Sequence, residues 1–219
     1  TFSLSNKAYC PGNWAVSNLK KHKHLELVNT QQNTLLDSLN IAVKQIKKEN
    51  TPSKKYAIVS IHRFENIYNK ERFKFIIDAV HKASSIAPII FVMHPVTQKR
   101  LAKTGLLSSL QSNKNITLKD RCGYIEFTAL LAKSSFVITD GGSNQEELTY
   151  LKTPTLLMRK ATERPEGLDA NIILSNYSSA ITDRFLASTK LSHKQEFDVA
   201  PPTPSPTKLI INTLEQYVH

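Results

Sequence analysis

Residues able to do chemistry recur at matching places along this chain, directly after short apolar runs. The densest case is Phe136-Val137-Ile138-Thr139-Asp140-Gly141-Gly142-Ser143-Asn144-Gln145-Glu146-Glu147, followed about fifteen residues later by Thr162-Glu163-Arg164-Pro165-Glu166. An apolar β-branched strand that runs into a small-residue turn and opens a helix presents free backbone N–H groups and the positive end of the helix dipole. That end suits a phosphate. Glu146 and Glu147, one turn further in, put at least one carboxylate where it accepts hydrogen bonds from sugar hydroxyls, as an acidic residue does in nucleotide-binding folds. Strand, Gly-Gly turn and helix occur in many α/β proteins, so the reading rests on the company the turn keeps.

That company is basic and imidazole-bearing. His62-Arg63-Phe64-Glu65-Asn66 follows one apolar run, His94-Pro95 a second, Lys119-Asp120-Arg121 a third, and Arg159 a further one. Arg63, Arg159 and Arg164 suit phosphate, because a planar guanidinium gives bidentate contacts. A histidine near a diphosphate is able to neutralise a departing anion or to serve as an acid, its reference pKa being about 6.5. No His/Cys spacing of a metal site is present and no Ser-His-Asp order stands out, so neither a catalytic metal nor a cofactor is expected.

These residues need a scaffold that brings the ends of several strands together. The apolar runs 56–61, 89–93, 116–118, 136–139, 155–158 and 172–174 read as strands, and the amphipathic stretches 70–85, 98–103, 125–133, 144–151 and 178–186 as helices. Near-continuous apolar strands separated by helices predict an α/β fold, a Rossmann-like doubly wound parallel sheet covered on both faces. Ligands bind such sheets beyond the carboxyl ends of the strands, where the candidate residues fall. Upstream, residues 1 to about 30 lack clear periodicity and hold a turn-like Pro11-Gly12-Asn13. From Asn33 a helix is expected, with Leu35, Leu36, Leu39, Ala42, Val43 and Ile46 on one side, stopping before Pro52 and a Ser53-Lys54-Lys55 linker. Downstream, Ala200 to Pro206 is a Pro-rich link to a last amphipathic helix carrying Leu209, Ile210, Ile211, Leu214 and Tyr217, expected to dock some distance from the preceding one. The expected division is 1–52, 53–199 and 200–219.

Apolar content of 40% and charged content of 21% over 219 residues fit an ordinary globular chain. No apolar run nears the roughly 20 residues that cross a bilayer, so no membrane span is expected. No secretory signal is visible and Cys10 and Cys122 stand alone, which makes the cytoplasm the expected compartment. The formal charge of +11 invites a nucleic-acid reading, yet residues 1–55 hold nine Lys against Glu26, Asp37 and Glu49, a local surplus of +6. Without interleaved aromatics or a recognised module, that surplus reads as a solvated face, and no nucleic-acid partner is expected.

Taken together, His62-Arg63-Phe64-Glu65-Asn66, His94-Pro95, Thr139 to Glu147, Pro154, Arg159 and Thr162 to Glu166 resemble, in order and spacing over roughly residues 25–186, the UDP-N-acetylglucosamine 2-epimerases. The resemblance implies one half of the two-domain arrangement called GT-B, with UDP held mainly by this half. It implies interconversion of UDP-N-acetylglucosamine and UDP-N-acetylmannosamine for surface polysaccharide synthesis, UDP being eliminated to leave a glucal and added back with C2 inverted. By that resemblance His62 is the active-site histidine, with Arg63, Glu65 and Asn66 its motif partners. Gly141, Gly142 and Ser143 contact the diphosphate, and Glu147 binds the ribose. Arg159, Thr162, Glu163 and Arg164 close the site, and His94 lies near the nucleotide.

Three differences from the family stand out. Its Asp-Ser-Gly-Gly turn is here Asp140-Gly141-Gly142-Ser143, and its histidine-proline motif continues with Val96-Thr97 in place of Asn-Pro. The family's amino-terminal domain, home to most of its catalytic carboxylates, has no counterpart here beyond residues 1–50, so the chain alone is expected to be inactive and the parent to be a homodimer. The same reading leaves open a hydrolysing epimerase, the donor half of a UDP-sugar glycosyltransferase, and a non-catalytic sugar-nucleotide-binding module.

Overall fold

The computed structural model describes residues 2–46, 55–189 and 199–216. They fall into two units, one formed by residues 1–44 with 199–219 and the other by residues 45–198. The break expected at Pro52-Ser53-Lys54 and the residue Tyr217 lie outside the described residues.

In the first unit, strands β1 (Lys7–Cys10) and β2 (Glu26–Asn29) pair in parallel, Lys7 opposite Glu26 and Cys10 opposite Asn29. Parallel strands need a crossover, which helix α1 (Asn13–Leu19) supplies. These elements are absent from the sequence expectation, because two four-residue, half-buried strands leave no periodic trace. Helix α2 (Leu35–Gln45) opens where Asn33 Oδ1 accepts the Leu35 N–H at 3.1 Å, and it buries Leu36, Leu39, Asn40 and Ala42.

In the second unit the chain runs β3 (Ala57–Ser60), α3 (Phe64–Ile67), α4 (Lys70–Ser84), β4 (Ile89–Met93), α5 (Pro95–Thr104), α6 (Leu106–Ser112) and β5 (Ile116–Asp120). It continues with α7 (Tyr124–Lys133), β6 (Val137–Thr139), α8 (Gly142–Tyr150), β7 (Thr155–Leu157), β8 (Ile172–Leu174) and α9 (Ser179–Ser188). The six strands form one parallel sheet in the order β5-β4-β3-β6-β7-β8. The chain thus lays strands outward from β3, then returns to set β6 against its other side. This is the doubly wound topology expected, with its switch point between β3 and β6. Burial explains the apolar strands: Val59, Ile89, Phe91, Ile138 and Leu156 meet Phe73, Ile76, Ile77 and Val80 of α4 in one core. Helix α4 begins where Asn69 accepts the Arg72 N–H, and α5 begins at His94 with Pro95 in its first turn and ends at Gly105.

The last helix, α10 (Pro206–Glu215), belongs to the first unit. Ser205 caps it by accepting the Lys208 N–H at 3.2 Å, while Asp37 of α2 accepts the Thr207 N–H at 2.9 Å. Tyr9 of β1 and Thr213 share a 2.8 Å hydroxyl hydrogen bond.

Candidate active site at the carboxyl edge of the sheet

Ser60 of β3 lies opposite Thr139 of β6, so the residues that follow these strands meet at the switch point. The meeting is organised by Asp140, which is fully buried. Its carboxylate accepts the backbone N–H of His62 at 3.0 Å, that of Arg63 at 2.9 Å and the Asn66 side-chain amide at 2.9 Å. His62 Nδ1 lies 3.5 Å from Asp140 Oδ1. A buried carboxylate is tolerated only when so satisfied. His94, at the start of α5, brings its ring to 5.6 Å from that of His62. Burial, then proximity to His62 and Arg121, lowers the His94 imidazole below its ordinary range, which favours its neutral form.

Beside this hub, α8 starts at Gly141 with no side-chain cap, and Ser143 is exposed in its first turn. The first N–H groups of a helix have no intrahelical acceptor, so this end offers a seat that an anion is able to occupy. Asn144 does not cap it, because its amide donates to the Thr139 hydroxyl at 3.0 Å. Over the seat lies the segment after β7. Gln145, wholly buried, pins that segment by donating to the carbonyls of Arg164 and Glu166 and by accepting from the Thr162 hydroxyl at 2.7 Å. Gly142 permits the approach, since a Cβ there would stand 3.1 Å from Arg164 Nε and 3.3 Å from Glu163 Oε1.

Three guanidiniums converge here, each with a carboxylate beside it. Arg164 pairs with the buried Glu146. Arg159 Nη1 is 2.9 Å from Glu163, which also lies 3.9 Å from Arg63, while Glu65 is 3.3 Å from Arg63 and 3.7 Å from Arg159. A hydrogen bond from its own backbone, and then Arg159 and Arg63, hold the Glu163 carboxyl below the usual range despite partial burial. Arg159 is itself buried, and its Nε has no hydrogen-bond partner among the described residues. Such a donor is one that an anionic oxygen satisfies.

Glu147 differs from the other carboxylates. It is 3% exposed, has no cation beside it among the described residues, and burial pushes its carboxyl up to about 7 against the opposing hydrogen bond of Tyr124. The candidate site residues therefore follow the carboxyl ends of the strands while Pro154 precedes β7, and one has a different setting: Asn66, expected among ligand contacts, is fully buried and its amide is used inside the protein. Asp140, Gln145 and Tyr177 carry no assignment in the sequence reading although they organise the site. For Asp140 and Gln145 the motif around Gly141 held the signal; for Tyr177 there was none. Among the described residues no group of three His, Cys, Asp or Glu is placed to hold a metal ion.

The sequence model described as UDP-N-acetylglucosamine 2-epimerase matches residues 3–199. The chain belongs to that family. The UDP-N-acetylglucosamine 2-epimerase of Methanocaldococcus jannaschii is 34% identical over 193 residues, an alignment covering 80% of this chain and 52% of that protein. The enzyme of the same name from Methanococcus maripaludis is 34% identical over 183 residues, 78% of this chain and 50% of that protein. This epimerase-family chain thus spans about half the length of the curated relatives it matches. A crystal structure of the M. jannaschii epimerase, in complex with UDP-GlcNAc and UDP, superposes with a TM-score of 0.79 at 30% identity, covering 98% of this chain and 62% of that one. The sheet is accordingly the Rossmann-like part of the family's GT-B fold. In this family member Ser143 stands exposed in the first turn of α8 and leaves the cap to Gly141.

Proposed function

We propose that this chain is the UDP-binding half of a sugar-nucleotide epimerase that interconverts UDP-N-acetylglucosamine and UDP-N-acetylmannosamine. The observation that carries the reading is the convergence of Arg63, Arg159 and Arg164 on the uncapped amino terminus of α8, where the buried Arg159 Nε stands 3.7 Å from the Glu65 carboxylate and has no hydrogen-bond partner among the described residues. The diphosphate sits on the α8 N–H groups and displaces carboxylates from these guanidiniums, and the Glu147 carboxylate accepts from the ribose hydroxyls. Binding of UDP-GlcNAc and UDP by the M. jannaschii relative supports this placement.

In the reaction a base takes the C2 proton, the electron pair forms the C1–C2 double bond, and the C1–O bond breaks to release UDP and a glucal. Re-addition of UDP with protonation on the opposite face inverts C2. His62, oriented by Asp140, stands where it meets the charge developing on the departing diphosphate. Asp140, Glu65 and Glu163 are all engaged by N–H donors or guanidiniums, so the C2 base comes from a part of the parent outside this chain, and the chain alone does not turn over. The first unit, 1–44 with 199–219, joins in this reading a remnant of the amino-terminal domain and its connection to the carboxy-terminal helix, and the parent works as a homodimer in the cytoplasm.

The test is calorimetric titration of the chain with UDP, with UMP and ATP as comparators and Glu147→Ala as control. Binding that prefers UDP and is lost in the variant supports the assignment. Absence of UDP binding, or binding indifferent to Glu147, refutes it.

A further inference from the structure

One side chain at the mouth of α8, that of Asn144, has no role in the reading so far. The family's Asp-Ser-Gly-Gly turn is Asp140-Gly141-Gly142-Ser143 here, so a glycine stands at the family's serine position. Gly141 has φ −79° and ψ 130°, an extended backbone that any residue adopts, so conformation does not demand a glycine. Space is what is short. A Cβ at Gly141 would stand 3.1 Å from His62 Cε1 and 3.3 Å from both Cγ and Nδ2 of Asn144. The Asn144 amide thus lies where a side chain at position 141 would reach.

One hydroxyl fixes which way that amide points. Thr139 donates to the Ser60 carbonyl at 2.9 Å, which leaves it two lone pairs and no further proton to give. The Gly141 N–H takes one lone pair at 3.2 Å and Asn144 Nδ2 takes the other at 3.0 Å. The end of Asn144 that meets Thr139 is therefore its NH2 group. The second N–H of that group, held beside Gly141, has no acceptor among the described residues. Asn144 is half-buried, so this donor is within reach of a ligand at the uncapped end of α8. A second donor at this end lacks an acceptor too: Arg159 is tied to Glu163, which stands against Gly142, and its buried Nε has no hydrogen-bond partner among the described residues.

We propose that Asn144 is a further diphosphate-binding residue of this chain: its amide, fixed by Thr139, donates to a phosphate oxygen of the nucleotide and takes the place that a side chain at position 141 would hold. The identity of the ligand rests on the epimerase reading; the crowding at Gly141 does not.

The test is calorimetric titration of the 219-residue chain with UDP, with uridine measured by displacement of UDP. Asn144→Ala is expected to weaken UDP by about tenfold, the worth of a hydrogen bond to a charged group, and to leave uridine unchanged. Asn144→Asp, which suits the first turn of a helix and sets a negative charge beside the phosphate, is expected to weaken UDP further. Gly141→Ser is expected to weaken UDP while Asn144 is present, and to regain part of the lost affinity once Asn144→Ala has cleared the space. UDP affinity unchanged in Asn144→Ala overturns the assignment, as does a parallel fall for uridine, which would make Asn144 part of the frame alone. A Gly141→Ser effect that is the same in both backgrounds overturns it as well. Should Asn144→Ala not fold, Asn144→Asp decides, and UDP held as tightly as by the wild type sinks the assignment. A wild-type chain that binds no UDP takes down the nucleotide reading and this assignment together, whereas UDP binding indifferent to Asn144 strikes the assignment alone.

Discussion

Replacing Glu147 by Gln is expected to make the chain more stable at alkaline pH and, on the proposed reading, to weaken its binding of UDP. Glu147 is 3% exposed and its carboxyl is raised by burial from 4.5 to about 7, with the Tyr124 hydroxyl the one opposing influence. A carboxyl whose folded pKa exceeds its unfolded value contributes stability below the unfolded pKa, and that contribution is lost as pH rises through the folded pKa. The window here runs from about 4.5 to just above 7. At about 1.4 kcal/mol per tenfold change in the protonation equilibrium, the ionised form costs the fold on the order of 3 kcal/mol at the top of the window. Gln keeps the shape and has no proton to lose. In urea unfolding of both chains, the two are expected to differ little near about pH 5, and the variant is expected to be more stable by roughly 1–3 kcal/mol near about pH 8. Groups common to both chains cancel in the difference. Parallel stability curves across this range would refute the claim that Glu147 is a buried carboxyl without a cation. Calorimetry supplies the functional half: a carboxylate that must ionise to receive a ribose makes UDP binding by the wild type release protons near neutrality, and the Gln variant is expected to release fewer and to bind less tightly.

Two further substitutions test the frame around the site. Gly167 has a φ of 74°, and a Cβ there would fall well inside contact distance of Thr149 Oγ1 and Ile172 Cγ1, so Gly167→Ala is expected to cost at least about 2 kcal/mol in urea unfolding. An unchanged midpoint would contradict the turn geometry that returns the closing segment to β8. In the first unit, burial alone would raise the Asp37 carboxyl, but hydrogen bonds with Thr207 and Ser205 and the nearby Lys208 outweigh it and hold the group below its ordinary range. The stability this adds is present above about pH 4 and fades as pH falls below it. Asp37→Ala is therefore expected to lose about 1 kcal/mol at neutral pH and less in acid, and a loss that persists undiminished at low pH would assign the effect to packing instead.

The sheet was legible in the sequence because burial on both faces demands apolar runs, and such runs are local. Ile89–Met93 and Ile172–Leu174 have the expected bounds, and the other four strands agree to within two residues at either end. The helices α4, α5, α7, α8 and α9 appear where amphipathic spacing puts them, with α5 reaching back to Pro95 because the His94 cap and Pro95 open it. The four-residue α3, the short α6 and the β1-α1-β2 crossover were not legible, since each is too short for a period to register and owes its form to what it packs against.

For the site, sequence by itself determined which residue types stand after which strands, and so determined that cations, imidazoles and carboxylates share one edge. Only the tertiary structure decided their partners. That Asp140 takes the N–H groups of residues 77 and 78 positions earlier, that Gln145 rather than a loop residue holds the closing segment, and that Tyr177 reaches Asn66 across 111 positions are consequences of strand order. Local chemistry sets what a side chain is able to donate or accept. A buried group must find its complement wherever the fold brings one, and that is settled by the return of β6 to the side of β3.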